Sequence, residues 1–148
     1  GKIITAFDME RTMALGADWC NAARGFMFAV GCIQAQSCHT GRCPVGVTTQ
    51  DPIRQRALVV PDKAERVYNF HRHTVEALAE VIAAAGLEHP NDLRPSHFLR
   101  RVGTSRVETY DQIYRFFAPG EILAGTDDPR YRFNWPRSQA DNFAPAVA

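Results

Sequence analysis

Three observations in the sequence predict an α/β fold followed by a mainly helical extension. Residues 5–16 (TAFDMERTMALG) have the spacing of a short amphipathic helix, residues 17–21 (ADWCN) form a short extended run, and residues 25–31 (GFMFAVG) begin a second helix. The turns between these segments are tight, and helix, strand, helix in that order implies parallel strands with helical crossovers. Beyond them, residues 61–85 repeat apolar side chains at helical spacing, with two shorter helical patterns further on.

In the first helix Thr5 is placed to cap the N-terminus, and Asp8, three residues on, completes a capping-box pattern. Met9, Met13 and Leu15 supply an apolar side, and Gly16 suits the left-handed position that ends a helix. The second helix is apolar on most sides and is expected to be buried. One strand cannot make a sheet, so its partners are expected upstream. The opening Gly1-Lys2-Ile3-Ile4, without a starting Met, fits a fragment whose N-terminus lies further up the chain. In the long helix Pro61 lies in the first turn, and Val67, Phe70, Thr74, Leu78, Val81, Ile82 and Ala85 form one stripe before Gly86 stops it. Lys63, Arg66, Arg72, Glu76 and Glu80 read as a solvated face. Two shorter helices are predicted at residues 94–102 and 107–116. After Pro119 the chain reads as an irregular strap with the aromatics Tyr131, Phe133, Trp135 and Phe143. The expected division is residues 1–50 against 51–148.

Composition narrows the function classes. The 148 residues are 45% hydrophobic and 22% charged, as in globular proteins, and the net charge of +1 gives no electrostatic case for nucleic acid or an anionic membrane surface. No apolar run approaches the roughly 20 residues that cross a bilayer. Three of the four cysteines are clustered, which in a chain with long helical patterns favours metal-binding thiolates in a reducing compartment, the cytoplasm, over disulfides.

Those three cysteines are spaced Cys32-x5-Cys38-x4-Cys43, with Pro44 following, in a loop that also holds Gly31, Gly41 and Gly46. Closely spaced thiolates on a flexible loop suit an iron–sulfur core, and three ligands match a [3Fe–4S] cluster better than a [4Fe–4S] one. Two other readings stay open at this point. His39 would complete a Cys3His zinc site, although zinc loops pair their ligands at two- to four-residue spacing. The cysteines would otherwise be inert or disulfide-linked. Cys20, outside the loop, reads as a small buried hydrophobe.

The stretch AVGCIQAQSCHTGRCPVGVTTQDP (residues 29–52) closely resembles the cluster loop in the FMN-binding domain of glutamate synthases. The shared features are both cysteine gaps, the His after the second Cys, and the exit Cys-Pro-x-Gly-Val-x-Thr-Gln-Asp-Pro. Residues 1–28 resemble the last helix–strand–helix of that domain's (β/α)8 barrel, and DKAERVYNFHR in the long helix is similar to the same family. The large members continue into a long Gly-rich repeat domain. Here a helix and an aromatic strap take its place, which resembles the shorter stand-alone relatives of the FMN domain.

The resemblance implies the C-terminal end of a TIM barrel, with Cys32, Cys38 and Cys43 holding a [3Fe–4S] cluster beside FMN. Phosphates in such barrels sit on the loops after strands seven and eight. Gly1 would lie in the first of these, and Ala22, Ala23, Arg24 and Gly25 would form the second. Many flavin barrels have Gly where this chain has Ala22 and Ala23. Electrons would come from ferredoxin or a reductase subunit, and 2-oxoglutarate with ammonia, free or glutamine-derived, would yield L-glutamate. The alternatives are a related flavin enzyme that forms N-methylglutamate or uses another acceptor, and a non-catalytic zinc-binding interaction module.

Overall fold

The computed structural model describes residues 2–137 and 140–141. Gly1 and Phe143, both singled out from the sequence, lie outside the described residues. The chain divides into two compact units, residues 1–112 and 113–148.

The first unit is built on three helices. Helix α1 (Ala6–Ala14) is capped as its sequence predicts: the Thr5 side chain accepts from the Asp8 N–H, and the Asp8 carboxylate accepts from the Thr5 N–H. Helix α2 (Ala23–Val30) ends on Gly31 at φ 112°, and the one-turn helix α3 (Pro52–Gln55) starts on an Asp51 cap. Helix α4 (Val60–Ala84) spans 25 residues, close to the predicted bounds. It packs against both α1 and α2. Ala6 and Ala14 of α1 meet Leu78 and Ile82 of α4, with Leu93 and Phe98 closing the core. The Phe26 and Phe70 rings, 5.2 Å apart and edge-on, join α2 to α4. The alanines keep α1 close enough to α4 for ridge-into-groove contact. Helix α4 therefore belongs with α1 and α2, across the division expected at residue 50.

Four sequence expectations are corrected here. Residues 17–21 form no strand: an extended run needs a ladder partner, and none is present among the described residues. The segment is held to α1 through the Cys20 sulfur, 3.8 Å from the Met9 carbonyl oxygen, and Trp19 points outward, 75% exposed. Helix α2 is only half-buried, with Gly25 as its fully buried residue. Residues 94–102 are not a helix. Pro95 forces Arg94 into the extended region (φ −131°, ψ 154°) and opens a single 3-10 turn. Strand β1 (Leu99–Arg101) then pairs antiparallel with β2 (Val107–Thr109). Of the expected 107–116 helix only α5 (Tyr110–Ile113) forms. The β-branched Val102, Thr104, Val107 and Thr109 favour the hairpin over a helix. This antiparallel pair is the sheet among the described residues.

The second unit is less irregular than its sequence suggests. Helices α6 (Glu121–Ala124) and α7 (Pro129–Asn134) are short, and α7 is capped by the Asp128 side chain accepting from the Arg130 N–H. Asp128 is buried and paired with Arg130 at 2.8 Å and Arg115 at 3.3 Å. Tyr131 stacks on Trp135 and meets Phe117 edge-on. Among the described residues no helix is long and apolar enough to cross a membrane.

Candidate cysteine-loop centre

The loop from Cys32 to Thr49 folds around a small hollow whose wall includes Cys32, Cys38 and Cys43. Each cysteine arrives on a different backbone device. Cys32 follows the left-handed Gly31 that ends α2, and its N–H donates to the Met27 carbonyl at 2.9 Å. Cys38 opens a single 3-10 turn, Cys38–Thr40, closed by Gly41 at φ 70°. Cys43 begins the turn that Gly46 completes at φ 75°. A Cβ on Gly46 would lie 2.5 Å from the Arg54 carbonyl oxygen, so only glycine fits there. The buried Thr49 hydroxyl bonds the Gly41 carbonyl and the Gln55 amide donates to the Thr49 carbonyl at 2.9 Å, fastening the loop to α3.

Cys43 is buried, Cys32 half-buried and Cys38 exposed, and none is in a disulfide. The Cys43 thiol is lowered to about 7, chiefly because the Thr48 N–H points at its sulfur. The Val45 and Val47 N–H groups and the Thr48 hydroxyl add to this, against the opposing effect of burial. The Thr48 hydroxyl oxygen is itself buried and makes no hydrogen bond of normal geometry. The Gln34 N–H approaches the Cys32 sulfur at 3.4 Å. The donors around Cys43 favour its thiolate over its thiol, which is the form a metal ligand requires. Among the described residues no three His, Cys, Asp or Glu side chains gather on one point as a single ion needs. The three cysteines border one small hollow instead. By their chemistry, three thiolate-forming side chains on one loop are a donor set that a soft iron–sulfur group takes.

His39 is exposed within the 3-10 turn. Cys20 is half-buried and burial pushes its thiol up, so it behaves as the small hydrophobe its sequence suggests. The residues matched to a phosphate turn open α2. Ala22 is its N-cap with no side-chain hydrogen bond, and Ala23, Arg24 and Gly25 form the first turn, so no side chain competes for its N–H groups. Arg24 is exposed. Gly25 has a packing role as well, since a Cβ there would meet the Phe70 ring at 2.8 Å and the Ile3 carbonyl oxygen at 3.3 Å.

Sequence reasoning placed Lys63 and Arg66 on a solvated face of α4. Both side chains reach within 3.7 Å of the position a Cβ on Gly31 would occupy, beside Cys32. Their position follows from α4 packing on α2, and no local pattern shows it.

Comparison with known proteins bears on the whole region. The conserved region in glutamate synthase matches residues 1–88, which takes in α1, α2, the cysteine loop and α4. The chain is 41% identical over 117 residues to the glutamate synthase large subunit-like protein YerD of Bacillus subtilis, covering 79% of this chain and 22% of that protein. It is 31% identical over 109 residues to the archaeal-type glutamate synthase [NADPH] of Thermotoga neapolitana, covering 73% of this chain and 22% of the relative. Against the ferredoxin-dependent glutamate synthase of Pyropia yezoensis it is 33% identical over 100 residues, 67% of this chain but 6% of that protein. The chain thus spans about a fifth or less of these relatives. No solved structure matches it. With more than half of its length inside the conserved region, the chain belongs to the glutamate synthase family.

Proposed function

We propose that this chain supplies the iron–sulfur loop and part of the flavin-phosphate site of a glutamate-forming oxidoreductase. One observation carries the reading: Cys32, Cys38 and Cys43 border one hollow in a chain of the glutamate synthase family. When bound, a [3Fe–4S] cluster carries single electrons and FMN delivers hydride to 2-iminoglutarate, formed from 2-oxoglutarate and ammonia, to give L-glutamate.

The chain's own residues contribute position and field. Cys32, Cys38 and Cys43 would hold the cluster, and Gly31, Gly41 and Gly46 set the turns that present them. His39 is a neighbour that orients the loop and does not ligate. At the other end of α2, the first-turn N–H groups of Ala23, Arg24 and Gly25 would meet the FMN phosphate, with the Arg24 guanidinium free to swing toward it. Helix α2 runs from the turn whose N–H groups would hold the phosphate to the loop whose cysteines would hold the cluster. The place of this segment is the end of a (β/α)8 barrel whose other strands would cover the flavin ring. Relatives are named for ferredoxin and for NADPH. A ferredoxin or a reductase subunit in the cytoplasm is the fitting electron donor.

Iron and acid-labile sulfide analysis of anaerobically prepared protein tests the reading. A ratio near three to four with brown absorbance is expected, and stoichiometric zinc without sulfide would overturn it. FMN added to residues 1–148 by themselves should show little fluorescence quenching, because the phosphate turn alone leaves the ring uncovered. Tight stoichiometric quenching would place the whole flavin site within this chain.

A further inference from the structure

The hollow bordered by the three cysteines carries more hydrogen-bond donors than the protein uses. Gln36 is a non-glycine residue at φ 56°, and Ser37 follows at φ −98°, ψ 15°. A left-handed residue followed by a right-handed one turns successive N–H groups to the same side, forming a concavity that binds anions and iron–sulfur groups. Here the N–H groups are those of Gln36, Ser37 and Cys38. None donates to an acceptor among the described residues, and all three residues line the hollow. On the opposite wall stands Thr48, whose buried hydroxyl makes no hydrogen bond of normal geometry. A buried donor left unmet is uncommon and costly, so the Thr48 hydroxyl, facing the same hollow as the three N–H groups, points to an acceptor that belongs there. Holding Gln36 in the left-handed region also costs energy that an unconstrained loop would release.

We propose that the Thr48 hydroxyl and the Gln36, Ser37 and Cys38 N–H groups form a preset donor shell for the sulfur atoms of the group held by the three cysteines, with Thr48 as the side chain that tunes its reduction potential. The inference rests on the iron–sulfur reading above and adds to it a source of tuning outside the ligands. Hydrogen bonds to cluster sulfur stabilise the more negative, reduced state and so raise the potential. Thr48→Val keeps shape and removes the donor; Thr48→Ser keeps the donor.

The test uses the intact protein, with the potential read by loss of the oxidised-cluster EPR signal. Thr48→Val should shift the potential negative and Thr48→Ser should return it toward the parent value. Gln36→Val, which resists the left-handed φ, should lower the potential or release iron. Amide hydrogen exchange adds a readout independent of redox: residues 36–38 should exchange freely in the apoprotein and become protected when the cluster is assembled. Unchanged potential in Thr48→Val together with unprotected 36–38 amides in loaded protein would overturn the donor shell and leave the cluster reading standing. Absence of sulfide-bound iron from the unsubstituted protein would overturn the cluster reading, and the shell with it.

Discussion

Cys43 is the most deeply placed of the three loop cysteines, and its surroundings are the most specialised. It is 7% exposed, and the turn through Gly46 aims backbone donors at its sulfur. Replacing Cys32, Cys38 or Cys43 singly by Ser should remove bound iron, because each thiolate is required to complete the ligand set. The same change at Cys20 should keep the iron and cost about 1 kcal/mol or less. Iron loss on the Cys20 change would show that the ligand set is wrong. Thr48 gives an opposite expectation for the apoprotein. Its hydroxyl is buried with no hydrogen bond of normal geometry, and a poorly met buried donor is destabilising. Thr48→Val should therefore raise apoprotein stability by about 1 kcal/mol, measured by urea unfolding. A loss of stability would mean the hydroxyl has an acceptor. The three cysteines and their order of spacing were legible in the sequence. The unmet Thr48 donor was not, because it depends on what the folded loop leaves unpaired.

At the scale of elements, the cysteine loop is held from both ends, by α2 on one side and α3 on the other. Helix α2 delivers Cys32, and α3 backs the turn that carries Cys43. The closest backbone approach is at Gly46, where a Cβ would collide with the Arg54 carbonyl of α3 and φ is 75°. Gly46→Ala should cost about 2 kcal/mol and release iron, checked by chemical unfolding beside iron analysis. A stable, iron-retaining Ala variant would mean the α3 contact yields readily. Helix α1 was readable to its caps because a capping box is local: Thr5 and Asp8 are three residues apart and need no tertiary partner. The hairpin of β1 and β2 was misread as helix for the converse reason. Its pairing spans the turn at residues 102–106, and short strands take their identity from a partner.

At the scale of the molecule, the two compact units draw stability from different sources. Residues 1–112 are organised by apolar packing of α1 and α2 on α4. In residues 113–137 the buried Asp128 is central, and its carboxyl is held down to about 2, chiefly by its hydrogen bonds with the Arg130 side chain. The Arg130 N–H and the Arg130 and Arg115 charges add to this against burial. A carboxylate lowered from 3.8 on folding favours the folded unit above that value. Its contribution is then lost as pH falls through about 2. Carbon-13 NMR titration should find Asp128 near 2, and Arg130→Ala should move it upward. An Asp128 that titrates normally in the unsubstituted protein would show that the ion pair does not persist in solution.

The sequence alone determined what rests on neighbours in the chain. Those features are the α1 cap, the glycine stops after α1 and α4, the apolar stripe of α4, and the three cysteines with their spacing. Helical period, capping chemistry and ligand count act over a few residues, so they are written locally. Tertiary structure alone decided the rest. It brought Lys63 and Arg66 beside Gly31, buried Gly25 under Phe70, denied residues 17–21 a ladder, and left Thr48 and the 36–38 N–H groups facing the cysteine hollow without acceptors. Each depends on which surfaces meet when α1 and α2 settle on α4 and the loop closes. Burial and hydrogen-bond satisfaction are properties of that meeting, and no local pattern specifies them.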